Sequence, residues 1–303
     1  MPGSTTLPTD PTLSEQIRPD PTVPDPLGIL AGGGDLPGQV AAAAAAGRRV
    51  FMVGLAGHAD AAVLAPWPHT VLRIGAAGAI LAALHAQGCR DLVLIGRVRR
   101  PNLLALRPDA GGARILARLG RAAVAGDDGL LAAVIRVLGE EGFRVLGAQE
   151  VLTAALAPVG LLTTAAPDAT ARADIARGIV VARALGAADV GQGCVVQQGL
   201  VLAVEAIEGT DAMLARAAGL ARPGPGGVLV KLVKPGQDRR ADLPTIGPET
   251  VRAAAAAGLR GIAFEAGGTL LAERDTLGGV ADAAGVFLLG LDPTSFTSHG
   301  ETA

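Results

Sequence analysis

The stretch Leu27-Gly28-Ile29-Leu30-Ala31-Gly32-Gly33-Gly34-Asp35-Leu36-Pro37-Gly38 changes character in mid-course. Its first five residues form a short apolar run with no helical period, which reads as a buried strand. Three glycines break the run. Asp35 then stands where a helix N-cap belongs, ahead of the alanines at 41–46 and the stop at Gly47. Working outward, Arg49 to Val53 reads as a second strand, and residues 78–87 as a helix ended by Gly88. Asp91 to Ile95 is a third strand closed by Gly96. Strand and helix alternating at this spacing imply βαβ units and a parallel sheet.

Residues 112–125 and 127–141 read as two more helices, with Asp127 or Asp128 in the capping position, and Phe143 to Leu146 as another strand. Residues 154–168 lack periodicity, and no charge appears there before Asp168. The second half alternates again. It has a helix from Asp168 to Leu185, two apolar runs around Gln197-Gln198-Gly199, a helix from Asp211 to Leu220, and a strand from Val228 to Val233. A helix from Pro248 to Ala257 and short strands at Ile262 to Phe264 and Val286 to Leu289 follow. The expected class is α/β: an N-terminal Rossmann-like open parallel-sheet domain (27–155), a linker (156–168) and a second α/β domain (169–294). The Pro-rich residues 1–26 and residues 295–303 read as disordered tails.

Half of the 303 residues are apolar and 18% are charged, which permits a substantial core. Aromatic residues make up 2% and the net charge is −2, so neither stacking platforms nor a basic footprint for nucleic acid is present. Cys89 and Cys194 stand alone and read as small buried hydrophobes, suited to a reducing cytoplasm. No uninterrupted apolar window reaches the length of a membrane span.

Several chemistries are excluded by motif. In the Gly-rich turn the third glycine of Gly-x-Gly-x-x-Gly is Pro37, and residues 48–57 hold no acid for a ribose, so a nicotinamide cofactor is disfavoured. The chain contains no Gly-Lys-Ser/Thr, no His-x-x-x-His and no Gly-x-Ser-x-Gly. No serine occurs between Thr22 and Thr294, which removes a serine nucleophile from the folded region.

Three segments remain as candidates. Gly32-Gly33-Gly34 could offer backbone N–H groups to an anion, or could be a plain turn. Glu205-Ala206-Ile207-Glu208-Gly209-Thr210-Asp211 places acids between a strand and a helix. Glu205 ends an apolar run, where a carboxylate is costly unless paired or metal-bound, while Thr210 or Asp211 could simply cap the helix. The third segment, Lys231 to Gly247, holds the chain's only two lysines, Lys231 and Lys234, among Asp238, Arg239, Arg240 and Asp242. It reads either as a solvated loop or as a site where cations meet phosphate and hard carboxylates meet Mg²⁺. Arg97-Val98-Arg99-Arg100-Pro101, at the carboxyl end of the third strand, reads either as a phosphate or headgroup contact or as a solvated loop.

Together, Gly28 to Pro37, Gly126-Asp127-Asp128, Gly191-Gln192-Gly193, Glu205 to Asp211 and Lys231 to Gly247 give the chain a family likeness. It resembles the bacterial UDP-2,3-diacylglucosamine diphosphatases of lipid A biosynthesis, alphaproteobacterial type, over about residues 27–292. The resemblance implies a two-domain, Mg²⁺-dependent hydrolase that binds substrate at and between its domains. Water attacks the α-phosphorus, and the products are UMP and 2,3-diacylglucosamine 1-phosphate. It carries the family's essential aspartate to Asp242, which is expected to act as Mg²⁺ ligand or water-orienting carboxylate; Asp211 and Glu205 are expected as further metal or substrate ligands and Asp238 as a further metal ligand. Gly32, Gly33, Gly34, Gln192, Thr210, Lys231, Lys234, Arg240 and Thr245 become substrate-binding expectations. A lipid substrate implies peripheral contact with the cytoplasmic face of the inner membrane. The oligomeric state stays open, a homodimer being one expectation, and the alternative function is a non-catalytic UDP-sugar-binding regulator.

Overall fold

The computed structural model describes residues 24–98, 106–120, 127–240 and 243–296. The first half runs β1 (Leu27–Ala31), α1 (Leu36–Ala45), β2 (Val50–Leu55), α2 (Ala61–Leu64), β3 (His69–Leu72), α3 (Ala77–Ala86) and β4 (Asp91–Ile95). It continues through α4 (Ala110–Leu119), α5 (Asp127–Glu140), β5 (Arg144–Leu146) and α6 (Ala148–Val151). The five strands form one parallel sheet in the order β3-β2-β1-β4-β5. β1 is the central strand, and Leu27, Ile29 and Ala31 are fully buried, as its apolar run requires.

The second half runs β6 (Gly160–Leu161), α7 (Ala169–Ala187), β7 (Gly193–Gln197), β8 (Leu200–Val204), α8 (Gly209–Ala218) and β9 (Val228–Lys231). β10 (Thr245–Ile246), α9 (Pro248–Ala256), β11 (Gly261–Glu265), β12 (Leu270–Leu271), α10 (Arg274–Ala283) and β13 (Phe287–Leu291) complete it. Its main sheet is mixed, in the order β6-β13-β11-β9-β7-β8, with β9, β11 and β13 parallel. β7 and β8 form a hairpin whose turn residues Gln198 and Gly199 both have positive φ, the pair that a two-residue turn needs. The α/β class, with one main sheet in each half and a separate two-stranded pair of β10 and β12, is as the sequence indicates.

Local differences have physical reasons. Asp35 stands at the N-cap of α1 with helical angles, and its side chain makes no capping bond. β3 escapes sequence reading because it is a short edge strand, half exposed, and carries no apolar run. Part of the stretch read as linker, residues 157–162, is tied to the second sheet. β6 pairs antiparallel with β13, Leu162 N–H donates to the Leu288 carbonyl, and Ala157 is buried and bonded to Thr269 and Gly267. The tails read as disordered lie almost wholly outside the described residues, as do Arg99 and Arg100.

The two halves share one apolar cluster. Leu243 and Leu270 of the second pack with Ile29, Val40 and Leu152 of the first. Both cysteines are buried and free, and burial pushes the Cys89 thiol up to about 11 and Cys194 to about 12.

Two outcomes test this packing. A Cβ at Gly290 would collide with the Pro158 carbonyl, so Gly290→Ala is expected to lower stability by about 1–3 kcal/mol in urea unfolding. Asp91 is buried at the start of β4 and accepts from Arg48 at 2.6 Å and twice from Arg144 at 2.8 Å. Burial raises its carboxyl, but the two guanidiniums outweigh this and hold it below the usual carboxylate range. Its contribution is therefore complete above about pH 4, the unfolded value, and is lost as pH falls through the lower folded value. Asp91→Asn is expected to cost about 1–3 kcal/mol near pH 7 and to flatten the acid limb of the stability profile.

Candidate active site

Register brings three of the expected site residues together. β7 lies between β8 and β9, with Gly193 opposite Lys231 on one side. On the other side, Glu205 N–H donates to the Gly193 carbonyl at 2.9 Å. Lys231 and Glu205 thus approach across a residue without a side chain. A Cβ on Gly193 would stand 2.8 Å from Glu205 Oε2, and one on Gly191 would strike the Glu205 carbonyl. The Gly191-Gln192-Gly193 string is the notch that admits the pair.

Thr210, in the first turn of α8, joins them. Its hydroxyl donates to Glu205 Oε1 at 2.6 Å and accepts from Lys231 Nζ at 2.6 Å. Lys231 Nζ is 3.9 Å from Glu205 Oε1, and both residues are 6% exposed. Thr210 is therefore a relay and not a helix cap; the N-cap residue is Glu208. Glu205 Oε2 and Gln192 Oε1 are buried and accept no hydrogen bond.

The neighbouring Asp211 is exposed and points toward the other half. Arg97, just past β4, has Nη1 3.4 Å from Asp211 Oδ2 and Nη2 3.9 Å from Glu249 Oε2 in the first turn of α9. This pair of contacts lies beside the point where strand order reverses between β1 and β4, the usual ligand crevice of such sheets. Gly32 and Gly96 permit the close approach of the two strand ends, since a Cβ on Gly32 would stand 2.7 Å from the Gly96 and Arg97 backbone.

The Gly-rich turn differs from expectation. Gly32 N–H donates to Ile95, Gly33 N–H to Arg97, and Gly34 N–H to Asp60 Oδ2 at 3.0 Å. All three amides already have protein acceptors, so the turn shapes the crevice more than it supplies free donors.

The remaining expected residues lie in separate contacts. Lys234 Nζ donates to Asp189 at 2.8 Å, just beyond the C-terminus of α7, where a cation is favoured. Arg240 grips Asp238 through Nε at 2.9 Å and Nη2 at 2.7 Å, which holds the Asp238 carboxyl below its usual range. Thr245 donates to the Leu243 carbonyl at 3.3 Å. Asp242 lies outside the described residues.

Among the described residues, no three His, Cys, Asp or Glu side chains gather as a metal site. Glu205 sits next to an ammonium and Asp238 is held by a guanidinium, so neither suits a dication as placed. Asp211 meets Arg97 only at 3.4 Å and is exposed, so a dication can reach it. Because Mg²⁺ needs only one or two carboxylates besides water and phosphate oxygens, Asp211 fits as a ligand. Glu249 and Asp60 carried no sequence signal, as single acids in ordinary helix and loop contexts.

The comparisons agree with this two-part layout. Residues 26–155 match the family model described as the LpxI N-terminal domain, and residues 158–289 match that of the LpxI C-terminal domain. The chain belongs to the LpxI family. A relative from Caulobacter vibrioides, named UDP-2,3-diacylglucosamine pyrophosphatase LpxI, is 46% identical over 274 residues. The match covers 88% of this chain and 98% of that protein. Both halves of the cleft, Arg97 on one side and Glu205 to Asp211 on the other, fall inside the family matches.

The relay predicts a coupled stability effect. Lys231→Met leaves Glu205 as an uncompensated buried charge and is expected to cost about 3–5 kcal/mol. Combining it with Glu205→Gln is expected to recover part of that loss, so urea unfolding of the two singles and the double should show clear non-additivity.

Proposed function

We propose that this protein hydrolyses the pyrophosphate of UDP-2,3-diacylglucosamine, giving UMP and 2,3-diacylglucosamine 1-phosphate in lipid A biosynthesis. The observation that carries this reading is the 46% identity spanning 98% of a relative named for that activity. The cleft geometry supports it, with a guanidinium and an open carboxylate facing each other at the switch point of the first sheet. A regulator that only binds UDP-sugars is not favoured, because the full-length relative is named as an enzyme.

In the reaction, a water oxygen bonds to the α-phosphorus and the bond from that phosphorus to the bridging oxygen breaks. The leaving group is the lipid sugar 1-phosphate. Asp242 is assigned to orient the water and take its proton. The relay of Lys231, Thr210 and Glu205 positions the first turn of α8, and with it Asp211. Lys231 therefore acts through Thr210 and not by touching phosphate. Among the described residues, Arg240 and Lys234 each hold a carboxylate partner, Asp238 and Asp189, and are assigned to positioning rather than to direct phosphate contact.

Mg²⁺ is proposed as the cofactor, with Asp211 and Asp242 as the residues that hold it; when bound it neutralises phosphate charge. Acyl chains on the substrate suggest peripheral contact with the cytoplasmic face of the inner membrane. No helix among the described residues is long and apolar enough to cross a membrane.

Purified protein incubated with UDP-2,3-diacylglucosamine and Mg²⁺ is expected to release UMP, and ¹⁸O from labelled water should enter UMP. Asp242→Asn is expected to lower the rate by roughly 10²–10³ with unchanged urea unfolding. Absence of UMP from the wild type overturns the activity. Full turnover by Asp242→Asn overturns its assignment.

A further inference from the structure

We propose that Arg97 is the pyrophosphate-binding side chain contributed by the N-terminal half, held by Asp211 and Glu249 until substrate takes its guanidinium. The inference rests on the diphosphatase reading and deepens it. Four observations point to it.

The first is position. Arg97 follows β4 at the reversal of strand order, where open α/β sheets receive ligands outside the carboxyl ends of the strands. The second is its anchorage. Its N–H donates to the Gly33 carbonyl and its carbonyl accepts from Gly33 N–H, each at 2.9 Å. The backbone is thus pinned to the Gly-rich turn, and the guanidinium lies near Gly34, where a Cβ would meet Nε and Nη2 at 3.8 Å.

The third observation is the looseness of its present contacts. Charge-assisted N–H···O bonds ordinarily measure about 2.7–2.9 Å. Arg144 and Arg240 reach that range in two-pronged grips on Asp91 and Asp238. Arg97 meets Asp211 at 3.4 Å and Glu249 at 3.9 Å, on two different helices, and neither contact is two-pronged. The fourth is exposure. The Arg97 side chain is 72% exposed, against 62% for Asp211 and 79% for Glu249, so solvent and ligand reach all three.

A guanidinium is a planar fork matched to two oxygens of one phosphate. Among the described residues, one long contact to each of two carboxylates leaves most of its donors unused, and a diphosphate offers a better acceptor geometry at the same place. Transfer of Arg97 to phosphate would also free Asp211.

The rival role is a plain interdomain latch, in which Arg97 only ties the halves together through Asp211 and Glu249. The two roles differ in the sign of one effect. If Arg97 binds phosphate, removing Glu249 removes a competitor. If it is only a latch, removing either partner opens the cleft alike.

The test uses the full chain, with UDP binding followed by calorimetry and KM and kcat for UDP-2,3-diacylglucosamine measured in parallel. Arg97→Gln is expected to weaken UDP binding by about tenfold or more and to raise KM. Arg97→Lys, which keeps the charge but loses the fork, should recover only part of this. Glu249→Gln should tighten UDP binding by roughly two- to fivefold, since a competing carboxylate is gone. Loss of affinity in both Arg97→Gln and Glu249→Gln overturns the proposal in favour of the latch. Wild-type UDP affinity in Arg97→Gln overturns it outright. If Arg97→Gln fails to fold, Arg97→Lys decides: wild-type affinity there overturns the proposal, and a weakened, folded variant supports it. Wild-type UDP affinity in Arg97→Gln, alongside a wild type that does release UMP, sinks only this inference. A wild type that neither binds UDP nor releases UMP sinks the diphosphatase reading with it.

Discussion

Two opposite charges buried across a glycine constrain the second half of this protein. Lys231 and Glu205 lie on opposite sides of β7, and each would be costly to bury alone. Gly193 leaves room for them, and the Thr210 hydroxyl bonds to Glu205 Oε1 and Lys231 Nζ at 2.6 Å each. That one hydroxyl ties β8, β9 and α8 into a fixed relation. Asp211 follows Thr210 directly, so the direction in which its carboxylate enters the cleft is set by a network that is itself shielded from water. Separating a buried, rigid relay from the exposed group that it aims keeps the placement accurate while leaving the exposed group free to exchange partners.

The two halves meet through different physics at two places. Leu243 and Leu270 pack into the apolar cluster of the first sheet, which fixes contact without specifying chemistry. Arg97, Asp211 and Glu249 form a solvated polar contact, whose loose charge pairs contribute little to stability. Apolar contact holds the cleft together, and polar contact leaves it responsive.

Fold class was legible because the βαβ signal is local. The apolar run 27–31, the triple glycine and the alanine-rich helix after it are read within a dozen or so residues, and β4 was readable to its ends. What escaped was short or on an edge: β3, the two-residue pair β10 and β12, and β6. Such strands are held by their neighbours' free hydrogen-bonding groups and not by their own pattern. Residues 156–162 look like linker for the same reason, although β13 and Thr269 sew them into the second sheet.

The sequence by itself determined the α/β class and the family. It also determined the cast of unusual residues: a carboxylate ending an apolar run, two rare lysines and a glycine-rich turn. These are properties of composition and local order, which survive without coordinates. Only the tertiary structure decided the pairings. The register of β7 against β9 put Lys231 on Glu205, while Lys234, three residues on, went to Asp189 at the end of α7. The close approach of Gly32 to Gly96 consumed two of the turn's amides, Asp60 took the third, and Arg97 was left next to Asp211 and Glu249. Side-chain partnership across strands depends on register and on which residues lack a Cβ, and neither is encoded in the spacing between the partners along the chain.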